Sequence, residues 1–84
     1  MAYVVILKQS AEKELDRLSS ALHDRIVDRL LALKHNPRPP GAKKLRGREG
    51  YRIRVGDYRV LYTVEERGKV VEVFSIAHRK EVYR

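Results

Sequence analysis

The spacing of apolar residues changes once along this chain of 84 residues, and the change limits the folds that it can adopt. Between residues 15 and 33, leucine or isoleucine recurs at every third or fourth position, which is the period of one helix face. Ser19 and Ser20 interrupt the pattern, and serine is a preferred residue for capping a helix. We therefore predict a helical hairpin of two helices, Ala11–Leu18 and Ala21–His35, with Ser10 as the N-cap of the first.

The segments on either side of this hairpin have different compositions. Residues 36–44, NPRPPGAKK, contain three prolines and a glycine, which can sustain neither a helix nor a central strand. We predict a loop there. The run Ala2–Leu7 before the hairpin is apolar and is predicted to be a buried strand.

Beyond the loop the apolar period becomes two. In residues 51–55, YRIRV, apolar side chains alternate with arginines, and after the turn pair Gly56-Asp57 the alternation continues to residue 64. Residues 70–77, VVEVFSIA, are apolar on both faces, which is typical of a strand near the middle of a sheet. The order of elements predicts one α+β domain over residues 1–84. Its helical hairpin packs on one face of a small sheet, and an antiparallel three-stranded meander forms most of that sheet.

The arginines of the predicted hairpin indicate a binding face. If Ile53 and Val60 pack beneath the helices, strand alternation sends the arginines to the opposite, uncovered face; they are Arg52, Arg54 and Arg59. Three guanidiniums on one face repel one another unless an anion lies between them, and the planar guanidinium suits phosphate oxygens. The alternative is a solvated face whose charge serves solubility alone.

Composition supports a polyanionic partner and excludes several other functions. The formal net charge is +8; residues 1–37 contribute +1 and residues 38–84 contribute +7. The absence of cysteine excludes a disulfide scaffold, a cysteine zinc site and a thiol nucleophile, and the three histidines lack metal-site spacing. We therefore expect neither a metal nor a cofactor. The N-terminal apolar run is too short for a signal peptide or a membrane span, so we expect a cytoplasmic protein.

A second cluster of reactive side chains lies in the tail SIAHRKEVYR, residues 75–84. His78, Arg79 and Tyr83 place an imidazole, a guanidinium and a phenol close to a strand end. Histidine transfers protons near neutral pH, arginine stabilises developing phosphate charge, and tyrosine stacks on a base. Taken singly, each could equally be a surface group. Their position next to the arginine face favours a functional site.

Three ordered motifs, KKLRG, YRIRVGDYRVLY and HRKEVY, follow the N-terminal MAYVV and the helical hairpin, and together they resemble the RelE toxins of the RelE/ParE superfamily. The likeness covers essentially the whole chain. It implies a ribosome-dependent endonuclease that cleaves mRNA in the decoding site without a metal ion and is silenced by a cognate antitoxin protein. In the implied reaction a nucleotide's 2′-hydroxyl attacks the adjacent phosphate, leaving a 2′,3′-cyclic phosphate and a 5′-hydroxyl.

The resemblance also assigns roles to residues at the matching positions. It implies that RNA phosphates are bound by Lys43, Lys44, Arg46, Arg52 and Arg54. It implies that catalysis involves Arg59, Arg79 and Tyr83, and the neighbouring His78 is a further catalytic candidate because of its own chemistry, not because of the resemblance. Arg59 and Arg79 would hold the scissile phosphate and offset its charge, and Tyr83 would orient a nucleotide.

Two departures from the RelE pattern qualify these roles. The best-known member has lysines where this chain has Arg52 and Arg54, and arginine stays protonated in proteins, so neither residue can serve as the base. We expect His78 to act as the base, or the reaction to proceed with none. Some RelE-like toxins also continue into a C-terminal helix that moves when antitoxin binds, whereas this sequence ends one residue after Tyr83. We therefore expect an extended or helical acidic antitoxin segment over the basic face.

Two other functions fit the same residues. The ParE branch of the superfamily inhibits gyrase and does not cleave RNA. A non-catalytic RNA-binding module would need the arginine face alone.

Overall fold

The chain is an α+β domain, seen in a computed structural model that describes residues 2–82. Its elements are β1 (Val4–Leu7), α1 (Gln9–Asp16), α2 (Ser20–Leu33), β2 (Lys43–Lys44), β3 (Tyr51–Val55), β4 (Tyr58–Glu65), β5 (Val70–His78) and α3 (Arg79–Val82). The strands form one sheet in the order β1-β5-β4-β3-β2. Strand β1 runs parallel to β5, and the other three pairs are antiparallel. The predicted N-terminal strand, helical hairpin and meander are confirmed. The prediction that this strand is buried was wrong, because β1 is an edge strand and leaves Val4 and Ile6 exposed.

Two further predictions about local structure were wrong. Lys43 and Lys44 lie in a fifth strand, because they pair with Arg52 and Tyr51 across the sheet, which loop composition does not reveal. Helix α1 begins at Gln9 after Lys8, so Ser10 lies within the helix instead of capping it. Ser19 does cap α2, since its hydroxyl accepts the Leu22 N–H at 3.4 Å.

The core lies between the helices and one face of the sheet. Ile26, Leu30 and Leu33 of α2 are buried there, and Ile53 and Val60 lie beneath the helices with exposures of 1 % and 0 %. Removing this apolar surface from water stabilises the fold and determines which side of each strand is turned toward the helices. The face that β3 and β4 turn away from the helices is called the open face below.

Beyond the end of β1, one backbone N–H of β5 donates its hydrogen bond to a side chain instead of to a neighbouring strand. The N–H of Lys8 still bonds to the Val73 carbonyl at 2.8 Å, after which the chain turns into α1. Further along β5, Glu14 of α1 accepts the Ile76 N–H at 2.9 Å through its carboxylate. A helix side chain therefore replaces a strand partner at this point.

Among residues 2–82, no helix is long and apolar enough to span a membrane.

Candidate nucleic-acid interface

The strand register brings the predicted arginines onto one face. Arg54 lies opposite Arg59, which lies opposite Ala77 on β5. Two positions along the strands, a second row crosses the sheet through Lys43, Arg52, Leu61 and Ser75. Because Ile53 and Val60 are buried on the helix side, both rows belong to the open face.

The three arginines differ in exposure. Arg54 is exposed and Arg52 is half-buried, but Arg59 is only 2 % exposed. The prediction that all three lie uncovered is therefore wrong for Arg59. Alternation along a strand determines the face a side chain occupies, whereas its cover depends on the residues that cross that face. In this structure almost none of the Arg59 surface is accessible to a phosphate.

Among the residues that the structure describes, the cations of the open face have no carboxylate partner. Across residues 2–82 the ion pairs are His23–Asp24, Arg38–Glu66 and Lys69–Glu66, and none of them includes Lys43, Arg52 or Arg54. Lys43 and Arg52 are cross-strand neighbours, so their charges repel. An anion placed between them would relieve that repulsion.

An aromatic group on the open face was missed by sequence reasoning. The Arg48 guanidinium carbon lies 4.0 Å from the centroid of the Phe74 ring. Phe74 stands at an irregularity in the β4–β5 pairing, where Leu61 opposes Ser75 but Tyr62 opposes Val73. Neither Phe74 nor Leu61 packs against the helix-side core. The irregularity cannot be read from apolar spacing, although the aromatic residue within a basic region was a signal.

The register does not place the other two predicted phosphate-binding residues in these rows. Lys44 is exposed and pairs with Tyr51, so the alternation turns it away from Lys43. Arg46 is exposed in the loop between β2 and β3.

The register does not bring His78 to the arginines. His78 lies opposite Tyr58, and their rings meet edge to face at 5.4 Å and 86°. It lines an open cavity of about 380 Å³ with Leu22 and Arg25 of α2. This cavity is on the helix side of the sheet. The Nδ1 atom of His78 accepts the Lys80 N–H at 3.3 Å. The position of His78 on the helix side argues against it as a base for chemistry on the open face.

The remaining predicted residues belong to the end of the chain. Arg79 is exposed and begins α3, directly after β5, and its N–H donates to the Asp57 carbonyl at 2.8 Å. That bond fixes the start of α3 to the β3–β4 turn. Tyr83 lies outside the described residues. Within residues 2–82, no group of three or more His, Asp or Glu side chains is arranged to hold a metal ion.

A second set of charged residues joins the loop after α2 to the β4–β5 turn and is called the Glu66 cluster. The Glu66 carboxylate accepts the Tyr3 hydroxyl at 2.7 Å and a guanidinium N–H of Arg38. Arg38 also donates through Nε to the Tyr51 hydroxyl at 3.0 Å. The hydrogen bonds from Tyr3 and then from Arg38 hold the pKa of Glu66 below its usual range. The hydrogen bonds that Arg38 makes to Tyr51 and then to Glu66 raise the pKa of the Arg38 guanidinium.

Beside the Glu66 cluster, Tyr62 secures the same loop from inside the core. Its hydroxyl donates to the Pro37 carbonyl at 2.6 Å, and burial raises the pKa of Tyr62 to about 12. The proline-rich loop is therefore fixed at both an exposed and a buried point.

Comparison with solved structures gives several relatives over nearly the full chain. The archaeal RelE–RelB complex from Pyrococcus horikoshii OT3 is 29 % identical, with a TM-score of 0.81 over 94 % of this chain and 97 % of that one. The isolated Escherichia coli RelE toxin is 32 % identical, with a TM-score of 0.81 over 98 % and 92 % of the respective chains. The RelBE2 toxin–antitoxin complex of Mycobacterium tuberculosis is 26 % identical, with a TM-score of 0.81 over 94 % and 100 %.

Comparison at the level of sequence families agrees. Curated protein sequences give no significant match. The profile described as the ParE toxin of the type II toxin–antitoxin system parDE matches residues 5–83. With that match spanning the sheet, the helical hairpin and the open face, the chain belongs to the RelE/ParE superfamily of type II toxins.

Proposed function

We propose that this toxin is a ribosome-dependent endonuclease that cleaves mRNA in the decoding site. The observation that carries the proposal is the open face, where Lys43, Arg52 and Arg54 are exposed or half-buried without a carboxylate partner among the described residues. The likeness to RelE of E. coli supports the same function. Concentrated cations bind RNA phosphates and release counterions, which suits an RNA substrate.

The reaction needs no protein nucleophile. The 2′-oxygen of one nucleotide forms a bond to the adjacent phosphorus, and the bond from phosphorus to the 5′-oxygen breaks. The 2′-hydroxyl loses its proton to solvent and the 5′-oxygen gains one, which leaves a 2′,3′-cyclic phosphate and a 5′-hydroxyl. Because negative charge grows on the phosphate oxygens, guanidiniums positioned there lower the barrier.

The cations of the open face and the residues at the end of the chain have parts in this proposal. Lys43, Arg52 and Arg54 hold flanking phosphates, Arg46 and Lys44 add positive charge from the adjoining loop and from the other side of the sheet, and Arg79 meets the charge at the scissile phosphate. Arg59 joins Arg79 once its cover moves, and Tyr83 orients a nucleotide. No arginine accepts the 2′-proton. Since His78 lies on the helix side, we propose that orientation and charge stabilisation act without a side-chain base.

We also propose an antitoxin partner. The P. horikoshii and M. tuberculosis relatives are complexes with antitoxins, and an acidic segment laid over the open face would neutralise the same cations that bind RNA. Such a partner would block substrate binding directly.

The proposed activity is tested with purified ribosomes programmed with a defined mRNA. We expect new 5′ ends at the codon in the decoding site, and none when ribosomes are omitted. The control is a double variant, Arg52→Ala with Arg54→Ala, which should cut far more slowly. Absence of cleavage by the wild-type toxin would contradict the proposal.

Gyrase inhibition is the second candidate, because the matching family profile is that of ParE. DNA supercoiling assays with the same preparation distinguish the two. Loss of supercoiling without mRNA cleavage would place the toxin in the ParE branch, and RNA binding without either activity would indicate a non-catalytic module.

The role of His78 has a separate test. With no side-chain base, His78→Ala should leave single-turnover cleavage and its pH profile unchanged. If His78→Ala instead removes a rise in rate with pH and slows the reaction by about 10²–10⁴, His78 is the base and the placement argument fails.

A further inference from the structure

We infer that Arg48 and Phe74 form a stacking platform for one nucleobase of single-stranded RNA, beside the phosphate-binding row of the open face. This inference rests on the proposed function for its substrate class. It adds a base-binding site to a surface otherwise described by its charges.

The first support is the geometry of the pair. At 4.0 Å from the ring centroid, the Arg48 guanidinium lies in contact with the Phe74 ring. Arg48 is an exposed residue, and Phe74 is half-buried. A guanidinium over a ring can present its other side to a ligand, and bases stack on arginine planes and aromatic rings alike.

The second support is that the loop carrying Arg48 is held in place. The Leu45 N–H donates to the Gly50 carbonyl at 2.9 Å, which closes residues 45–50 into a loop. Gly50 has a φ of +133°, and a Cβ at this position would lie 2.7 Å from the Tyr62 carbonyl oxygen and 3.6 Å from Cε2 of Phe74. Only glycine lets the loop approach the sheet so closely. The backbone that carries Arg48 is therefore preorganised beside the sheet, which reduces the entropy lost on binding.

The third support is position relative to the cations. Phe74 precedes Ser75, which lies in the row with Arg52 and Lys43. The row through Arg54 and Arg59 reaches β5 at Ala77, three residues after Phe74. The platform therefore lies about 10 Å along the strand from that row. An RNA strand crossing the open face can thus place phosphates on the cations and a base on the platform.

The same contact would also arise if Arg48 and Phe74 only packed the loop onto the sheet. The two explanations differ in what a missing base should do. A platform interacts with one base, so removal of that base should cancel the effect of removing the platform. A packing contact has no such dependence.

The experiment measures binding of the purified toxin to a single-stranded 2′-O-methyl RNA of about eight nucleotides, which lacks the 2′-hydroxyl needed for cleavage. A series of RNAs carries one abasic position each. We expect Arg48→Ala and Phe74→Leu to weaken binding of the complete RNA by about 5- to 100-fold. Both variants should have little effect on the RNA that lacks the base at one particular position.

Arg46→Ala is the matched control, since it removes an exposed arginine from the same loop. It should weaken all RNAs of the series equally. The inference is overturned if Arg48→Ala also weakens every RNA equally, or if it weakens none. Should Phe74→Leu fail to fold, Arg48→Ala decides the outcome alone.

The binding assay is independent of ribosomes, so the two proposals can fail separately. Coupling between platform and base without mRNA cleavage would refute the endonuclease and leave the platform intact. Cleavage without coupling would refute the platform alone.

Discussion

Two groups of cations in this protein differ in whether carboxylates accompany them. In the Glu66 cluster, Arg38 and Lys69 share one carboxylate, and Tyr3 adds a hydrogen bond. On the open face, the described residues provide no such partner for Lys43, Arg52 or Arg54.

The comparison separates charge that holds the fold from charge that is available to a ligand. Arg38 joins a loop, a strand and a turn, so its charge is already used within the protein. The open-face cations repel one another and gain most from an external anion.

Arg79→Ala should reduce single-turnover mRNA cleavage on ribosomes by about 10²–10³, because the guanidinium that it removes meets charge that grows in the transition state. Thermal stability should change little, since Arg79 is exposed. Arg67→Ala is the matched control: it removes an exposed arginine from the β4–β5 turn and should cut at the wild-type rate. Equal rates for the two variants would contradict a catalytic role for Arg79.

Tyr62→Phe should lower the free energy of unfolding by about 1–3 kcal/mol, because it leaves the carbonyl of buried Pro37 without its hydroxyl donor. Urea unfolding measures this, and Tyr51→Phe, at a half-buried position, should cost less. Cleavage by the folded variant should be unchanged. A loss of cleavage without loss of stability would show that the loop contributes to the site.

The salt dependence of RNA binding should distinguish the two groups of cations directly. Each RNA phosphate that the open face no longer neutralises should reduce the log–log slope by about 0.7, so Arg52→Ala with Arg54→Ala should reduce it by about 1.4. Arg38→Ala should leave the slope unchanged, because its charge is paired with Glu66. If Arg38→Ala reduced the slope by as much as an open-face variant does, the division would be wrong.

Glu66→Gln should flatten the loss of stability in acid. The pKa of Glu66 is lowered in the folded protein, so its contribution is present above the unfolded pKa, about 4.3, and is lost as pH falls through the lower folded value. Urea midpoints measured between about pH 5 and pH 3 check this. The effect should be the smallest of the four, because the group is exposed and screened by salt. An unchanged acid slope in the variant would show that the cluster contributes nothing to pH dependence.

The sequence predicted the fold well where one physical rule dominated. Helical spacing located the core face of α2, and alternation placed Ile53 and Val60 beneath it. The two-residue strand β2 was missed because its pairing depends on partners distant in sequence.

The candidate site was predicted less completely than the fold. Alternation correctly grouped Arg52, Arg54 and Arg59 on one face, but it carries no information on the cover over Arg59. Proximity in sequence suggested that His78 joins the arginines, whereas register places it on the other side of the sheet. The irregular pairing beside Phe74 is likewise a property of two strands together.

The parallel pairing of β1 with β5 also has a consequence for the synthesis of the toxin. Val4 pairs with Val70, so the first strand to leave a ribosome waits for the last strand of the sheet. Contacts so distant in sequence form late, since the intervening chain must first be ordered. The open face requires β3, β4 and β5 side by side and cannot exist on a partial chain. We therefore expect the nascent polypeptide to lack the open face until the last strand has been translated and has left the ribosome.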